Sequence, residues 1–405
     1  MTYHSWFLAS CLALLVPSGR AAAQTPVQHV KVGVLTDMSG PTSDVGGPGS
    51  VLAAEMAVEE YGRALLGDAT IEIVHADHQV KADVAAALAR RWLDTEGVDA
   101  ILDVPFSAAA LAVNEVVRQN GRAAYLVSGG GTAELTGAKY SPNTVHWTYD
   151  TWSVANSTAR AVVSQGGKSW FFLTSDYAFG HALEIDGSRA IKAAGGQVLG
   201  SVSHPYNSPD MSAYVLQAMA SKAQVIGLAN SSVDAINSIK QAHDLGAVAQ
   251  GMRVAALIML INDVHGLGLE AGQGLYLTEP FYWDLNDRTR AFSDRFASRL
   301  GGRRPSMIQA GVYASMIHYM KAVRAAGTTD GLTVVAKMKE LPTDDPLFGR
   351  GSIRADGRVM RDMYILKVKT PAQSQSVWDL EEVVGTIPAE EAFGPANPAC
   401  TLGKA

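Results

Sequence analysis

Cysteine is scarce in this sequence of 405 residues, which contains only Cys11 and Cys400. Removal of an N-terminal signal peptide, argued below, would leave Cys400 as the single cysteine of the mature chain. We therefore expect no internal disulfide, although an exported protein lies in a compartment that permits one. Apolar residues make up 47% of the sequence and charged residues 18%. These proportions indicate a globular protein with large cores rather than a disordered chain.

Lysine and arginine are absent from the start of the chain, up to position 19. Residues 6–16 nevertheless form an apolar run that is too short to span a bilayer, and an A-x-A site ends at Ala23. We predict a secretory signal peptide over residues 1–23, cleaved after Ala23, and hence a periplasmic location. As an alternative, residues 8–11 (LASC) spell a lipobox that would make Cys11 a lipid anchor. The apolar run continues past Cys11, which favours cleavage after Ala23.

Long hydrophobic runs are missing after the N-terminus, so no membrane-spanning helix is expected there. A strong positive charge is missing as well. The formal net charge of −6 argues against nucleic acid or an anionic membrane surface as the partner. The length of 405 residues is sufficient for two domains of ordinary size.

The common signatures of catalysis, phosphate binding and metal binding are also absent. No Walker A, HExxH, CxxC or GxSxG pattern occurs, and the histidines do not have the spacing of a metal site. Residues 47–49 (GPG) resemble part of a dinucleotide-binding loop, but the third glycine is missing and Pro48 stiffens the turn. We therefore expect no catalytic residue, no metal and no cofactor.

What the sequence does contain is a regular alternation of short apolar runs and longer segments with helical periodicity, beginning at Lys31. Several predicted helices end in glycine just before the next strand, as at 165–167 (QGG) and 194–196 (AGG), which is typical of helix C-termini. Such alternation predicts parallel sheets covered by helices on both faces, and therefore an α/β fold.

The alternation pauses at 144–150 and again near 278–284, and residues 352–369 form two alternating strands around a turn at 355–358, which predicts a hairpin. We place passages between two lobes at the two pauses, and the predicted boundary between residues 352 and 353 adds a third. The predicted boundaries assign residues 24–149 and 279–352 to an N-terminal lobe, 150–278 and 353–390 to a C-terminal lobe, and 391–405 to a flexible tail.

Two loops of the first lobe are suited to an anion. Residues 128–132 (SGGGT) follow a buried strand and precede a short helix. Consecutive glycines allow the backbone amides to point at a carboxylate. Ser107 ends another strand–helix connection, where its hydroxyl is an expected helix cap and is also able to bond a second carboxylate oxygen. For the glycine loop, a simple connector is an equally good interpretation.

The most informative segment of the second lobe is 170–180 (WFFLTSDYAFG), a buried strand that breaks into a polar loop. Loops at the carboxyl ends of parallel strands are where open α/β sheets bind ligands. Tyr177 lies in this loop and is suited to stack on a ligand, or alternatively on its own lobe. Asp234 follows the next buried strand, where it can pair with a ligand ammonium or simply favour the first turn of a helix.

Four segments, in this order and spacing, resemble the leucine/isoleucine/valine-binding family of periplasmic solute-binding proteins. They are residues 32–41 (VGVLTDMSGP), 131–136 (GTAELT), 175–180 (SDYAFG) and 234–246 (DAINSIKQAHDLG). The resemblance covers nearly all of the mature chain. It implies a type I periplasmic binding protein: two Rossmann-like α/β lobes with parallel sheets, joined by a three-segment hinge, that close like a Venus flytrap.

The resemblance also implies roles for individual residues. In this family the first lobe holds the substrate carboxylate and an acid of the second lobe holds the α-ammonium. Val45 lies where several amino-acid binders have an aromatic residue, and Asp234 is one carbon shorter than their glutamate. An aromatic cluster at 281–283 lies at a predicted passage between lobes, where it suits hinge packing or a ligand wall. The candidate ligand-binding residues are Val45, Ser107, Ser128, Gly130, Thr132, Tyr177, Asp234 and Tyr282.

The implied function is that of a substrate-binding component of an ABC importer. It would capture a small amino acid of the branched-chain type between its lobes and deliver it, as a monomer, to a membrane permease. One alternative is the uptake of aromatic or other small carboxylates, and another is a ligand-sensing periplasmic subunit that signals to a receptor kinase or regulator. A cofactor-dependent α/β enzyme is a weaker alternative, because the chain lacks a phosphate-binding loop.

Overall fold

Five parallel strands form the sheet of the first lobe in the computed structural model, which describes Met1 and residues 27–396. The predicted cleavage site after Ala23 and both cysteines lie outside the described residues. The strands are ordered β2-β1-β3-β4-β5. In chain order the elements are β1 (His29–Thr36), α1 (Gly47–Leu66), β2 (Thr70–Asp77), α2 (Ala82–Thr95), β3 (Ala100–Asp103), α3 (Ser107–Asn120), β4 (Ala124–Val127), a 3₁₀ helix (Ala133–Thr136) and β5 (Thr144–His146).

The apolar runs of β1, β3 and β4 are buried between two layers of helices, as the sequence predicts, whereas β2 at the sheet edge is only partly buried. Gly33 of β1 shows how closely these layers approach each other. A Cβ atom at this position would lie 2.4 Å from the ring of Trp92 on α2, a separation that van der Waals radii do not allow. Glycine at 33 therefore lets a fully buried tryptophan pack directly on the backbone of the sheet.

The chain then enters the second lobe, whose parallel sheet has the order β7-β6-β8-β9. Here, too, helices alternate with strands and cover the sheet. The elements are α4 (Thr151–Ser164), β6 (Ser169–Ser175), α5 (Ala178–Ala193), β7 (Gln197–His204), α6 (Ser212–Ala220), β8 (Val225–Ala229), α7 (Ser232–Asp244), β9 (Arg253–Ala256), α8 (Ile261–Leu267), α9 (Leu269–Gly272) and β10 (Tyr276–Glu279).

The chain returns to the first lobe after Tyr282, a few residues beyond β10, and long helices pack there on α1. These helices bring Arg299 against Glu59 with an N–O distance of 2.6 Å, and the Tyr313 hydroxyl within 2.7 Å of a Glu60 oxygen. Three short antiparallel strands follow. The elements of this segment are α10 (Asp287–Arg299), α11 (Met307–Ala326), α12 (Gly331–Glu340), β11 (Thr343–Asp345), β12 (Gly349–Ile353) and β13 (Val359–Met360).

The predicted hairpin exists in part, but it lies in the first lobe rather than the second. β12 pairs with β13 around the predicted turn, and the Gly357 carbonyl accepts a 2.9 Å hydrogen bond from the His146 amide at the end of β5. The buried Arg358 donates to the Tyr149 carbonyl at 2.8 Å. The third passage between lobes therefore falls between Met360 and Met363, and not at the predicted boundary after residue 352.

The last elements belong to the second lobe, where β14 (Met363–Val368) joins β10 and β15 (Glu381–Ile387) in an antiparallel sheet, and α13 (Ala389–Ala392) packs on α4. Phe393 is buried, and Arg354 donates a 2.7 Å hydrogen bond to the Gly394 carbonyl. The predicted flexible tail is therefore packed against the protein as far as Gly394, and residues 395–396 are exposed. None of the helices within the described residues has the length and hydropathy needed to cross a membrane.

Candidate functional site

The candidate site lies where the carboxyl ends of the two parallel sheets face each other across the hinge. Backbone strain is concentrated at these ends. Asp103 at the end of β3 and Val104 after it have φ values of +80° and +57°, and Asn207 and Ser232 after β7 and β8 have +59° and +50°. Residues with side chains adopt this region at a cost of about 1–3 kcal/mol each, and such residues cluster at functional sites.

Ser107 and Thr132 are brought together on the first lobe, as predicted. Ser107 is the first residue of α3, and its Oγ accepts a 3.2 Å hydrogen bond from the Thr132 amide. The Thr132 hydroxyl in turn accepts from the Glu134 amide at 3.4 Å and caps the 3₁₀ helix. Both side chains are buried, with exposures of 2% and 0%. Neither hydroxyl donates a hydrogen bond within the described part of the chain, so each O–H hydrogen is available to an incoming acceptor.

The glycines beside Thr132 permit a close approach of the two lobes. A Cβ atom at Gly130 would lie 2.4 Å from the side chain of Ala110 on α3. At Gly131 it would lie 2.6 Å from the Tyr149 ring and 2.8 Å from the ring of Phe179, which belongs to the second lobe. Side chains at these two positions would therefore push the first-lobe loop away from α3 and from α5.

The remaining predicted residues of the first lobe face its interior. Ser128 is fully buried with no hydrogen-bond partner within the described residues, and its Oγ lies beside Gly311 of α11. Val45 is buried in the loop before α1, where its carbonyl accepts from Ser306 at 2.6 Å. The adjacent Asp44 carbonyl accepts a 3.3 Å hydrogen bond from Asn262 of the second lobe. The Val45 loop is therefore a direct contact between the lobes.

Tyr177 packs against the first lobe. Its ring stacks on Phe106, the residue before Ser107, with a centroid distance of 4.8 Å and an interplanar angle of 14°. Tyr206 of the second lobe completes the cluster, at 5.4 Å from Phe106 and 5.1 Å from Tyr177. Burial raises the pKa of the Tyr177 and Tyr206 hydroxyls, so both are neutral donors at physiological pH. The two lobes therefore meet through an aromatic cluster beside Ser107.

Asp234 lies in the first turn of α7 and is 2% exposed. Its two carboxylate oxygens accept hydrogen bonds from the amides of Asn207 and Ser208, at 3.0 and 2.7 Å. Burial raises the pKa of Asp234, and the two amide bonds oppose that rise. These bonds hold the 205–208 loop that carries Tyr206, so Asp234 has a structural role whether or not it also contacts a ligand.

Tyr282 belongs to the core of the second lobe. It is buried, its ring lies 6.0 Å from that of Trp283, and its hydroxyl donates to the Glu381 carbonyl at 3.1 Å. This geometry favours the hinge-packing interpretation over the ligand-wall interpretation. The structure does not bring Tyr282 together with the cluster of Phe106, Tyr177 and Tyr206.

Sequence reasoning did not identify the ring of Phe106, Tyr206 or Asp263 as parts of the site. Asp263 is a buried acid in the first turn of α8, and its carboxylate accepts from the Leu260 amide at 2.9 Å. Burial raises its pKa to about 7, and the charge of Asp44 adds to that rise. Tyr206 could have been predicted from the sequence, because it lies just after the end of β7, as Tyr177 lies just after the end of β6. No group of residues suited to a metal ion occurs within the described residues.

Comparisons with known proteins identify clear relatives. The model of the family described as "Periplasmic binding protein" matches residues 29–375. A periplasmic binding protein of Burkholderia mallei is 45% identical, with a TM-score of 0.88, over 93% of this chain and 100% of that one. A branched chain amino acid ABC transporter periplasmic ligand-binding protein of Burkholderia xenovorans is 38% identical, with a TM-score of 0.80, over 90% and 97%. A Leu/Ile/Val-binding protein homolog of Brucella suis is 26% identical over 88% and 92%.

The stack of Phe106 on Tyr177 predicts a measurable effect on lobe closure. Phe106→Ala removes a contact that exists only when the lobes meet, and aromatic pairs contribute about 0.5–1.5 kcal/mol beyond their buried area. We expect a larger radius of gyration for the unliganded variant than for the wild type in small-angle scattering, because the open state gains population. The control is Phe171→Ala, which removes a ring that packs within the second lobe. Superimposable scattering profiles for Phe106→Ala and the wild type would contradict the assigned role.

Proposed function

The chain belongs to the periplasmic binding protein family, and on that basis we propose that it captures a small carboxylate between its lobes and presents it to a membrane permease. It is the periplasmic ligand-binding component of an ABC transporter. The observation that carries the ligand proposal is the pair of Ser107 and Thr132. Both hydroxyl oxygens already accept hydrogen bonds from backbone amides. Each hydroxyl can therefore still donate its hydrogen, which favours a ligand with an acceptor such as a carboxylate oxygen.

The leading ligand class is a small amino acid of the branched-chain type. This proposal is supported by the 38% identity to the branched chain amino acid ABC transporter ligand-binding protein of Burkholderia xenovorans. It is also supported by Asp234, a buried acid of the second lobe. The ligand would bridge the lobes and favour the closed state through contacts that form only when both lobes meet. The protein would act as a monomer, with no covalent chemistry and no cofactor.

A second ligand class, an aromatic carboxylate without an amine, is favoured by a specific observation. The side of the cleft beside Ser107 is lined by the rings of Phe106, Tyr177 and Tyr206, which suit an aromatic ligand ring. The backbone amides of the 205–208 loop, moreover, already occupy both oxygens of Asp234. A sensor subunit would use the same cleft. The functions of the neighbouring genes distinguish a role in transport from a role in signalling.

The carboxylate proposal predicts that Ser107→Ala and Thr132→Ala weaken binding. Each substitution removes a hydrogen bond to a charged oxygen, which typically contributes about 1.5–3 kcal/mol and therefore about 10- to 150-fold in affinity. A thermal-shift screen over amino acids and small carboxylates first finds a ligand, because a cleft ligand stabilises the folded state. Calorimetry then compares the variants with Ser164→Ala, a control at an exposed helix position. Unchanged affinity in both site variants would place the carboxylate elsewhere.

Asp234→Asn separates the two ligand classes when each variant is titrated with L-leucine and with benzoate. A buried ammonium that loses its paired anion typically costs about 3–5 kcal/mol, so affinity for an amino acid should fall by orders of magnitude. Affinity for a simple carboxylate should stay the same or rise, because a negative charge leaves an anion's cleft. A loss confined to L-leucine supports the amino-acid class. An equal loss for both ligands shows that Asp234 acts only by holding the 205–208 loop.

Export to the periplasm follows from the family, and we propose the signal peptide at residues 1–23 as its route. Removal of this segment exposes Gln24 as the mature N-terminus. Intact-mass analysis of the exported protein checks this prediction, since cleavage after Ala23 gives a single unmodified species. A mature chain that begins at a lipid-modified Cys11 would contradict it and would support an anchored protein.

A further inference from the structure

A buried acid, Asp103, lies directly beneath the loop that we propose as the carboxylate site. It ends β3, four residues before Ser107, and is 0% exposed. Its Oδ2 accepts a 2.8 Å hydrogen bond from Thr36. Its Oδ1 has no hydrogen-bond partner within the described residues, and a Cβ atom at Gly129 would lie 3.0 Å from this oxygen. The unpartnered oxygen therefore lies against the backbone of the glycine loop.

Within the described residues, no cationic group lowers the pKa of Asp103. Its polar neighbours are the hydroxyls of Thr36 on β1 and Ser50 on α1. The charge of Asp103 also raises the pKa of two nearby tyrosines, Tyr125 on β4 and Tyr149 beyond β5. Tyr149 donates a 3.0 Å hydrogen bond to the Gly129 carbonyl and so supports the same loop. Burial without a cationic partner raises the pKa of Asp103 to about 7. The acid is therefore largely neutral below this pH and largely charged above it.

Given the proposed carboxylate site, we infer that Asp103 is a positioning residue that must be protonated for the glycine loop to accept an anionic ligand. An ionised Asp103 beneath Gly129 would place two carboxylates on opposite sides of one loop in a water-poor environment. Two like charges so placed cannot both remain ionised at low cost. The neutral acid keeps the hydrogen bond from Thr36 on β1 without adding negative charge under the ligand.

This role couples ligand binding to proton uptake. Binding of an anion raises the pKa of Asp103 further, because the bound charge disfavours ionisation. At pH values below about 7 the acid is already neutral, so affinity is independent of pH. Above that value each binding event takes up as much as one proton, and affinity falls by as much as about tenfold per pH unit.

The test is calorimetry of the wild type, Asp103→Asn and Asp186→Asn with L-leucine and benzoate, between about pH 6 and pH 8.5. Asp186 is a matched control, since it is a buried acid whose pKa burial raises to about 6, but it lies in the second lobe on α5. We expect affinity to fall with rising pH in the wild type and in Asp186→Asn, and to fall much less in Asp103→Asn, where Asp263 is the remaining site acid with a pKa of about 7. Retention of the full wild-type pH dependence in Asp103→Asn, or its absence in the wild type, would overturn the inference.

Two measurements keep this test separate from that of the proposed function. Titration of the wild type in buffers of different ionisation enthalpy counts the protons taken up on binding, and requires no variant to fold. NMR of aspartate carboxyl carbons, with Asp103→Asn for assignment, follows the acid in the unliganded protein. An ordinary titration of Asp103 near pH 4 overturns the inference even if both ligands bind. Failure of both ligands to bind, with Asp103 still neutral at about pH 6, rejects the two ligand classes and leaves the neutral acid established.

Discussion

The structure depends on one geometric constraint: both sheets are parallel, so each lobe presents all its strand-to-helix loops at a single edge. Three passages of the chain turn these two edges towards each other. The loops must then carry backbone amides and short polar side chains into a region where the lobes exclude water. This arrangement costs backbone strain energy, because Asp103 and Val104 on one side and Asn207 and Ser232 on the other adopt the left-handed conformation. Rigid sheets on either side allow the protein to sustain that strain.

Buried charge is the second feature that organises the cleft. Asp234 is not an isolated anion waiting for a ligand, because two backbone amides satisfy it and thereby fix the loop that carries Tyr206. Asp103 has fewer partners, and burial raises its pKa to about 7, so its neutral and charged forms are both populated near neutral pH. The two acids thus differ in their partners: backbone amides bond to both oxygens of Asp234, whereas one oxygen of Asp103 has no hydrogen-bond partner within the described residues.

Several parts of this arrangement could be predicted from the sequence, because they depend on short-range patterns. Apolar runs followed by helical periodicity predict a parallel α/β fold, and the ends of those runs mark Ser107, Thr132, Tyr177 and Asp234. The passages between lobes were harder to predict. Residues 352–360 alternate as a strand pair in either lobe, and only the pairing of Gly357 with His146 and the burial of Arg358 assign them to the first.

The sequence by itself determined which residues stand at strand ends, since burial and periodicity are properties of neighbouring positions along the chain. The tertiary structure alone decided which of them meet. It stacks Phe106 on Tyr177 across the hinge and buries Tyr282 in the core of the second lobe. It also brings both oxygens of Asp234 within hydrogen-bond distance of a loop nearly thirty residues away along the chain. Finally, it places Asp103 beneath the glycine loop, with one oxygen that has no partner in the described part of the chain. Such outcomes depend on distances between segments remote in sequence, and a carboxylate's charge state follows from what the fold brings around it.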